Sequence, residues 1–92
     1  MNILSKVVIA RKGEWINKYK PYRIFINGYE VESINSGSIK DFTVTAGQLK
    51  IVAKMWWYSS NEYHINIKDG KTIYLELKNG MKFIKIINIR AI

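Results

Sequence analysis

Apolar and polar residues alternate along this chain in short runs, and turn-forming residues interrupt the runs at regular intervals. Gly28, Gly37, Gly47, Gly70 and Gly80 lie nine or ten residues apart, except that the gap from Gly47 to Gly70 is divided by Ser59-Ser60-Asn61. Between these signals the runs are rich in β-branched and aromatic residues. Such spacing predicts a small all-β domain of short antiparallel strands, and no stretch shows the sustained 3.6-residue period with caps that a helix needs. The alternation predicts strands over about 6–11, 22–26, 29–34, 41–45, 48–57, 62–67, 72–77 and 82–89. A polar loop over 12–20 precedes Pro21, the one proline.

Turn chemistry predicts the registers. Asn27-Gly28 is the preferred pair for a two-residue type I′ hairpin. In that register Ile26 faces Tyr29, Ile24 faces Val31, Arg23 faces Glu32 and Phe25 faces Glu30. Asn35-Ser36-Gly37-Ser38 turns the chain into the fourth strand, where Phe42 and Val44 point inward. Ala46-Gly47 leads to the fifth strand, with Leu49, Ile51, Ala53, Met55 and Trp57 inward and Gln48, Lys50, Val52, Lys54 and Trp56 outward. In the sixth strand Tyr63, Ile65 and Ile67 share a face. A three-residue loop, Lys68-Asp69-Gly70, is expected to pair Ile65 with Ile73 and Tyr63 with Leu75. Asn79-Gly80 is expected to turn tightly into the last strand. Seven to eight such strands fit a single small antiparallel β-sandwich spanning residues 1–92.

The resemblance to known families rests on this turn chemistry. Tyr22-Arg23-Ile24-Phe25-Ile26-Asn27-Gly28-Tyr29-Glu30-Val31 resembles the strand, turn and strand that open bacterial PEGA-like modules. Thr43-Val44-Thr45-Ala46-Gly47-Gln48-Leu49-Lys50-Ile51 resembles their second signature, with Ala46-Gly47 where Pro-Gly is usual. The chain is also similar to short uncharacterised bacterial β-sandwich proteins. These share an arginine-rich first strand, a tryptophan near Trp15, an aromatic-Ser-Ser turn like Tyr58-Ser59-Ser60 and a late turn like Asp69-Gly70. The resemblance implies an immunoglobulin-like or transthyretin-like sandwich, with no catalytic residue and no known ligand.

Composition narrows the function. Hydrophobic residues make up 48% of the 92-residue chain, enough for one core. There are no cysteines, so disulfides and thiolate metal sites are excluded, and a reducing, cytoplasmic location is the expectation. No secretory signal and no transmembrane run is visible. The formal net charge of +8 suggests an anionic partner. Lysine, isoleucine and asparagine share AT-rich codons, however, and the dispersed lysines are explained as well by that compositional bias.

Enzyme chemistry lacks its parts. His64 is the lone histidine and is expected to face solvent. Ser59, Ser60 and Glu62 lie close to it in sequence, but turn serines usually bond their own backbone. Glu30 and Glu32 share a strand, where Arg23 accounts for Glu32. No cofactor motif and no metal-ligand spacing is present. The reading is a non-catalytic binding or assembly module.

Two features stand out from that background. Lys54, Trp56 and Tyr58 interleave cation and aromatic, the combination that holds single-stranded nucleic acid. Trp57 and Trp15 are expected in the core, whereas alternation points Trp56 outward. These residues are the candidate contact for nucleic acid or another anionic surface, with weak, salt-sensitive nucleic-acid binding expected. The last strand is apolar on both faces. Tyr74, Phe83, Ile87 and Ile89 form a second apolar stripe, covered either by the 12–20 loop or by a second chain. A homodimer through the C-terminal strand is the corresponding expectation.

Overall fold

The computed structural model describes residues 4–11, 20–55, 58–79 and 84–90, with side chains for all but residues 58, 79, 84, 85 and 87–90. Among these residues nine strands follow one another: β1 (Ser5–Arg11), β2 (Tyr22–Ile26), β3 (Tyr29–Ile34), β4 (Ile39–Val44), β5 (Gly47–Met55), β6 (Tyr58–Ser59), β7 (Tyr63–Ile67), β8 (Thr72–Asn79) and β9 (Ile84–Arg90). They form two sheets. One has the order β4-β1-β8-β9; the other runs β3-β2-β5, with β6 and β7 both pairing the far side of β5. The sheets pack face to face as a small all-β sandwich.

Alternation decides what enters the core. Val7, Ile9, Ile73, Leu75, Leu77 and Ile86 come from the four-stranded sheet. They meet Tyr22, Ile24, Ile26, Leu49, Ile51, Ala53 and Met55 from the other. Each fully buried aliphatic side chain stabilises the fold by about 1.5–3 kcal/mol relative to exposure. Phe42, Val44, Tyr63 and Ile65 pack at the margins, as their inward phase predicts.

The first hairpin forms as the sequence predicts at its tip. Asn27 and Gly28 both have positive φ, at 52° and 86°, and Ile26 faces Tyr29. Further along, Val31 is an extra residue in a bulge. Ile24 therefore faces Glu32 and Arg23 faces Ser33, one residue off the expected register. Tyr29 and Val31 are left exposed on β3, an edge strand.

Two of the predicted turns are crossovers between the sheets. The Ala46-Gly47 turn leads from β4 in one sheet to β5 in the other, and the Asp69-Gly70 turn leads from β7 to β8 in the same way. Lys71 N–H still donates to Lys68 C=O at 3.2 Å, so the turn itself is made. Its arms then diverge: Ile65 pairs with Leu49, not Ile73, and Tyr63 pairs with Ile51, not Leu75. Ile73 instead lies beside Val7 in a parallel β1–β8 pair. The fifth strand ends at Met55, and a separate short strand, β6, folds back on it. Among the described residues this adds the two-residue β6 to the strands the alternation predicts.

The last hairpin is also shifted. The β8 strand continues to Asn79, which faces Ile84; Gly80 of the expected Asn79-Gly80 turn lies outside the described residues. Ile86 faces Leu77 and Ile87 faces Glu76. A bulge near the end puts Asn88 opposite Leu75 and Arg90 opposite Tyr74.

Polar side chains stitch the two sheets where the ladders fail. Arg11 is 1% exposed, yet its guanidinium Nη1 donates to Lys20 C=O at 2.6 Å and to Ile34 C=O at 3.0 Å. Its Cζ lies 3.8 Å from the Tyr22 ring centroid. Between β6 and β7, Ser60 N–H donates to Ala53 C=O at 2.8 Å, while Ala53 N–H donates to Ser60 Oγ at 2.9 Å. Asn61 reaches across to β9: its Oδ1 accepts from Ile86 N–H at 2.8 Å and its Nδ2 donates to Ile86 C=O at 3.5 Å.

Candidate functional site

The outer face of the five-stranded sheet carries the only predicted contact residue whose side chain is described there, Lys54. Strand β2 lies against β5 with Arg23 opposite Lys54 and Phe25 opposite Val52. These four residues point outward together because Ile24 and Ala53, next to them, point inward. Lys54 Nζ sits 4.9 Å from the Phe25 ring centroid and Arg23 Cζ sits 5.5 Å from it. A cation over a ring face gains roughly 0.5–1 kcal/mol at an exposed site. The arrangement covers Val52, which is only 8% exposed although it faces out.

A shallow groove of about 240 Å³ runs over this face. Phe25 and Val52 line it with Lys50, Lys54, Ser59 and Glu62. Its charges are partly matched. Lys50 Nζ lies 3.9 Å from Glu62 and Arg23 lies 3.8 Å from Glu30. Arg23 thus meets Glu30, not Glu32 as the sequence suggests, because the Val31 bulge moves Glu32 along the strand. Lys54 forms no ion pair among the described residues. Among the described residues the groove therefore offers an apolar floor, an aromatic ring and a lysine that has no acidic partner there, suited to an anionic group beside an apolar or planar one.

Trp56 lies outside the described residues, as do Trp57, Trp15 and Phe83. Tyr58 pairs with Met55 through its backbone, and its side chain is not described. Phe25 and Lys50 were not singled out from sequence. Both show the right outward phase, but only the β2–β5 pairing brings them together.

Ser60 is buried, accepting from Ala53 and donating through Oγ to Asn61 C=O at 2.8 Å. Ser59 Oγ reaches Ser60 C=O at 3.4 Å. His64 Nε2 lies 3.2 Å from Glu62 on an exposed face, with neither serine as partner. Among the described residues no group of three or more His, Cys, Asp or Glu could hold a metal ion, and no helix is long and apolar enough to cross a membrane.

The second candidate cluster lies on the other sheet. Tyr74 is half-buried on β8. A tight Asn79-Gly80 hairpin would place Ile87 beside Thr72; it sits opposite Glu76 instead, and Ile89 is the extra residue of the β9 bulge. The side chains of Ile87 and Ile89 are not described. Glu76, on the outward phase of β8, is itself only 7% exposed.

No protein-family model matches the chain, and no curated protein matches it. Among solved structures it is similar to part of listeriolysin O, with a TM-score of 0.64 and 13% identity over 99% of this chain and 23% of that one. It is similar to the membrane-binding domain of pneumolysin, with a TM-score of 0.57 and 9% identity over 96% of this chain and 97% of that domain. It is also similar to a protein from Eubacterium rectale, with a TM-score of 0.56 and 10% identity over 96% of this chain and 90% of that one. The chain spans about a quarter of the length of listeriolysin O and of whole pneumolysin. At these identities the likeness is one of fold.

Proposed function

We propose that this chain is a non-catalytic binding module that docks on an anionic surface through the outer face of the five-stranded sheet. The observation that carries the reading is Lys54, held over the Phe25 ring at the side of the groove with no acidic partner among the described residues. A net charge of +8 adds long-range attraction to any anionic surface. Trp56, two residues beyond Lys54 in sequence, supplies a further aromatic for an interface. A domain of the same fold binds membranes in pneumolysin, which makes an anionic lipid surface the partner to test first.

The test is co-sedimentation with vesicles of phosphatidylcholine alone and with added phosphatidylserine. Binding should require the anionic lipid, weaken as salt rises, and fall in Lys54→Glu. Equal binding to both vesicles, or binding indifferent to Lys54→Glu, would overturn the reading. The runner-up is a nucleic-acid surface, favoured by the same charge. For it the expectation is weak, sequence-independent binding that fades with salt, because released counterions drive it. Micromolar binding that survives physiological salt and is lost in Trp56→Ala would make nucleic acid the better partner. Hydrolase and phosphatase screens should stay at background; turnover abolished by His64→Ala would refute the non-catalytic part.

A further inference from the structure

The outer edge of β9 is where another strand would add to the four-stranded sheet. In an antiparallel ladder, alternate residues turn both backbone groups away from the partner strand. Ile86 is such a residue, and both of its groups are occupied by one side chain: its N–H donates to Asn61 Oδ1 at 2.8 Å and its C=O accepts from Asn61 Nδ2 at 3.5 Å. The carboxamide stands where the peptide groups of a neighbouring strand would stand. Asn61 is held there by the opposite sheet. Its neighbour Ser60 is buried and bonded both ways to Ala53 of β5, and Ser60 Oγ donates to the Asn61 carbonyl.

The edge needs such a cover. Residues 84–90 read Ile-Lys-Ile-Ile-Asn-Ile-Arg, with four isoleucines and no proline. Segments of this kind pair readily when an edge is free. A second copy of the same strand is a suitable occupant. Antiparallel pairing about a two-fold axis at Ile86 sets Lys85 opposite Ile87 and Ile84 opposite Asn88. Within residues 84–88 no cation then faces a cation, so the repulsion that penalises like charges directly across a ladder does not arise there.

We infer that Asn61 is an edge lock: the outer edge of β9 is a pairing site for a second copy of this chain, held shut by the Asn61 carboxamide. The C-terminal strand then supports a homodimer only when the amide lets go. This inference is independent of the groove on the other sheet.

Sedimentation velocity and amide hydrogen exchange test it together. Wild type should be monomeric at high micromolar concentration, with the Ile86 amide protected like those of the β8–β9 ladder. Asn61→Asp keeps the acceptor that receives the 2.8 Å bond, so it should stay monomeric and protected. Asn61→Ala should dimerise with rising concentration, and in its dilute monomer the Ile86 amide should exchange at least about tenfold faster. Asn61→Ala remaining monomeric at high concentration would overturn the lock, as would a wild-type dimer with β9 at its interface. If Asn61→Ala does not fold, wild type alone decides: an Ile86 amide exchanging as fast as that of the exposed turn residue Asp69 would refute it.

Discussion

Removing the Arg11 guanidinium should be among the most damaging single changes available to this fold. Arg11 ends β1 in one sheet, whereas the carbonyls of Lys20 and Ile34 that accept from it flank the first hairpin of the other. The side chain is therefore a tie between sheets at one end of the sandwich. A hydrogen bond from a charged donor contributes about 1.5–3 kcal/mol, and the buried Ile34 carbonyl left without this donor forfeits about 1–3 kcal/mol. The stacked Tyr22 ring adds about 2 kcal/mol where water is excluded. These contributions overlap. Against them stands the cost of keeping a cation dry, which Arg11→Met removes. The net expectation for Arg11→Met is a loss of about 3 kcal/mol, within the range for breaking a buried polar network. Arg11→Ala should lose more, because it also leaves a cavity, and Arg11→Lys less, because one ammonium retains a donor but not the planar stack. At roughly 0.05–0.15 kcal/mol per residue, the whole fold has only about 5–14 kcal/mol to lose. Urea unfolding of the four proteins gives the order directly, as midpoints falling from Arg to Lys to Met to Ala at constant slope. An Arg11→Met protein as stable as wild type would refute the reasoning. It would show that apolar packing serves as well as the tie.

Other positions give independent checks. Asn27→Ala loses a residue suited to positive φ and the bond from Lys50 N–H to Oδ1 at 2.8 Å. It should lower stability by about 1–2 kcal/mol, and Asn27→Gly by less, since glycine keeps the turn. Gly47→Ala meets no atom within 4 Å but holds φ at +131°, so a loss of about 1–3 kcal/mol by thermal melting would be pure backbone strain. An unchanged melting temperature would show that the crossover relaxes. Ser60→Ala leaves the Ala53 N–H without its acceptor and should cost about 1–3 kcal/mol, read as a lower urea midpoint.

Much of the architecture was legible in the alternation of side chains. The inward residues Ile24 and Ile26 of β2, Phe42 and Val44 of β4 and Ile73 and Leu75 of β8 are those that the two-residue period selects, and Asn27-Gly28 makes the turn its chemistry demands. The registers were less legible. Bulges at Val31 and near the end of β9 each shift a pairing by one residue, and no turn residue announces them. The groove was half visible: Lys54 stands out beside Trp56, but Phe25 and Lys50 become neighbours of the same site only across the β2–β5 pairing.

Taken alone, the sequence determines that the chain turns at its glycines and that its strands bury one face, because both are local properties of backbone and side chain. It does not determine which sheet a strand joins. The Ala46-Gly47 and Asp69-Gly70 turns reverse the chain equally well into a hairpin or across the sandwich; the choice belongs to which apolar faces can be buried together. The parallel β1–β8 pair joins Val7 to Ile73 on that basis, far apart in sequence. Polar residues show the same division. Arg11 reads as a charged strand end and Asn61 as a turn residue. Only the closed sandwich brings the carbonyls of Lys20 and Ile34 to the guanidinium, and the edge of Ile86 to the amide. Buried backbone groups need partners, and tertiary structure decides which side chains supply them.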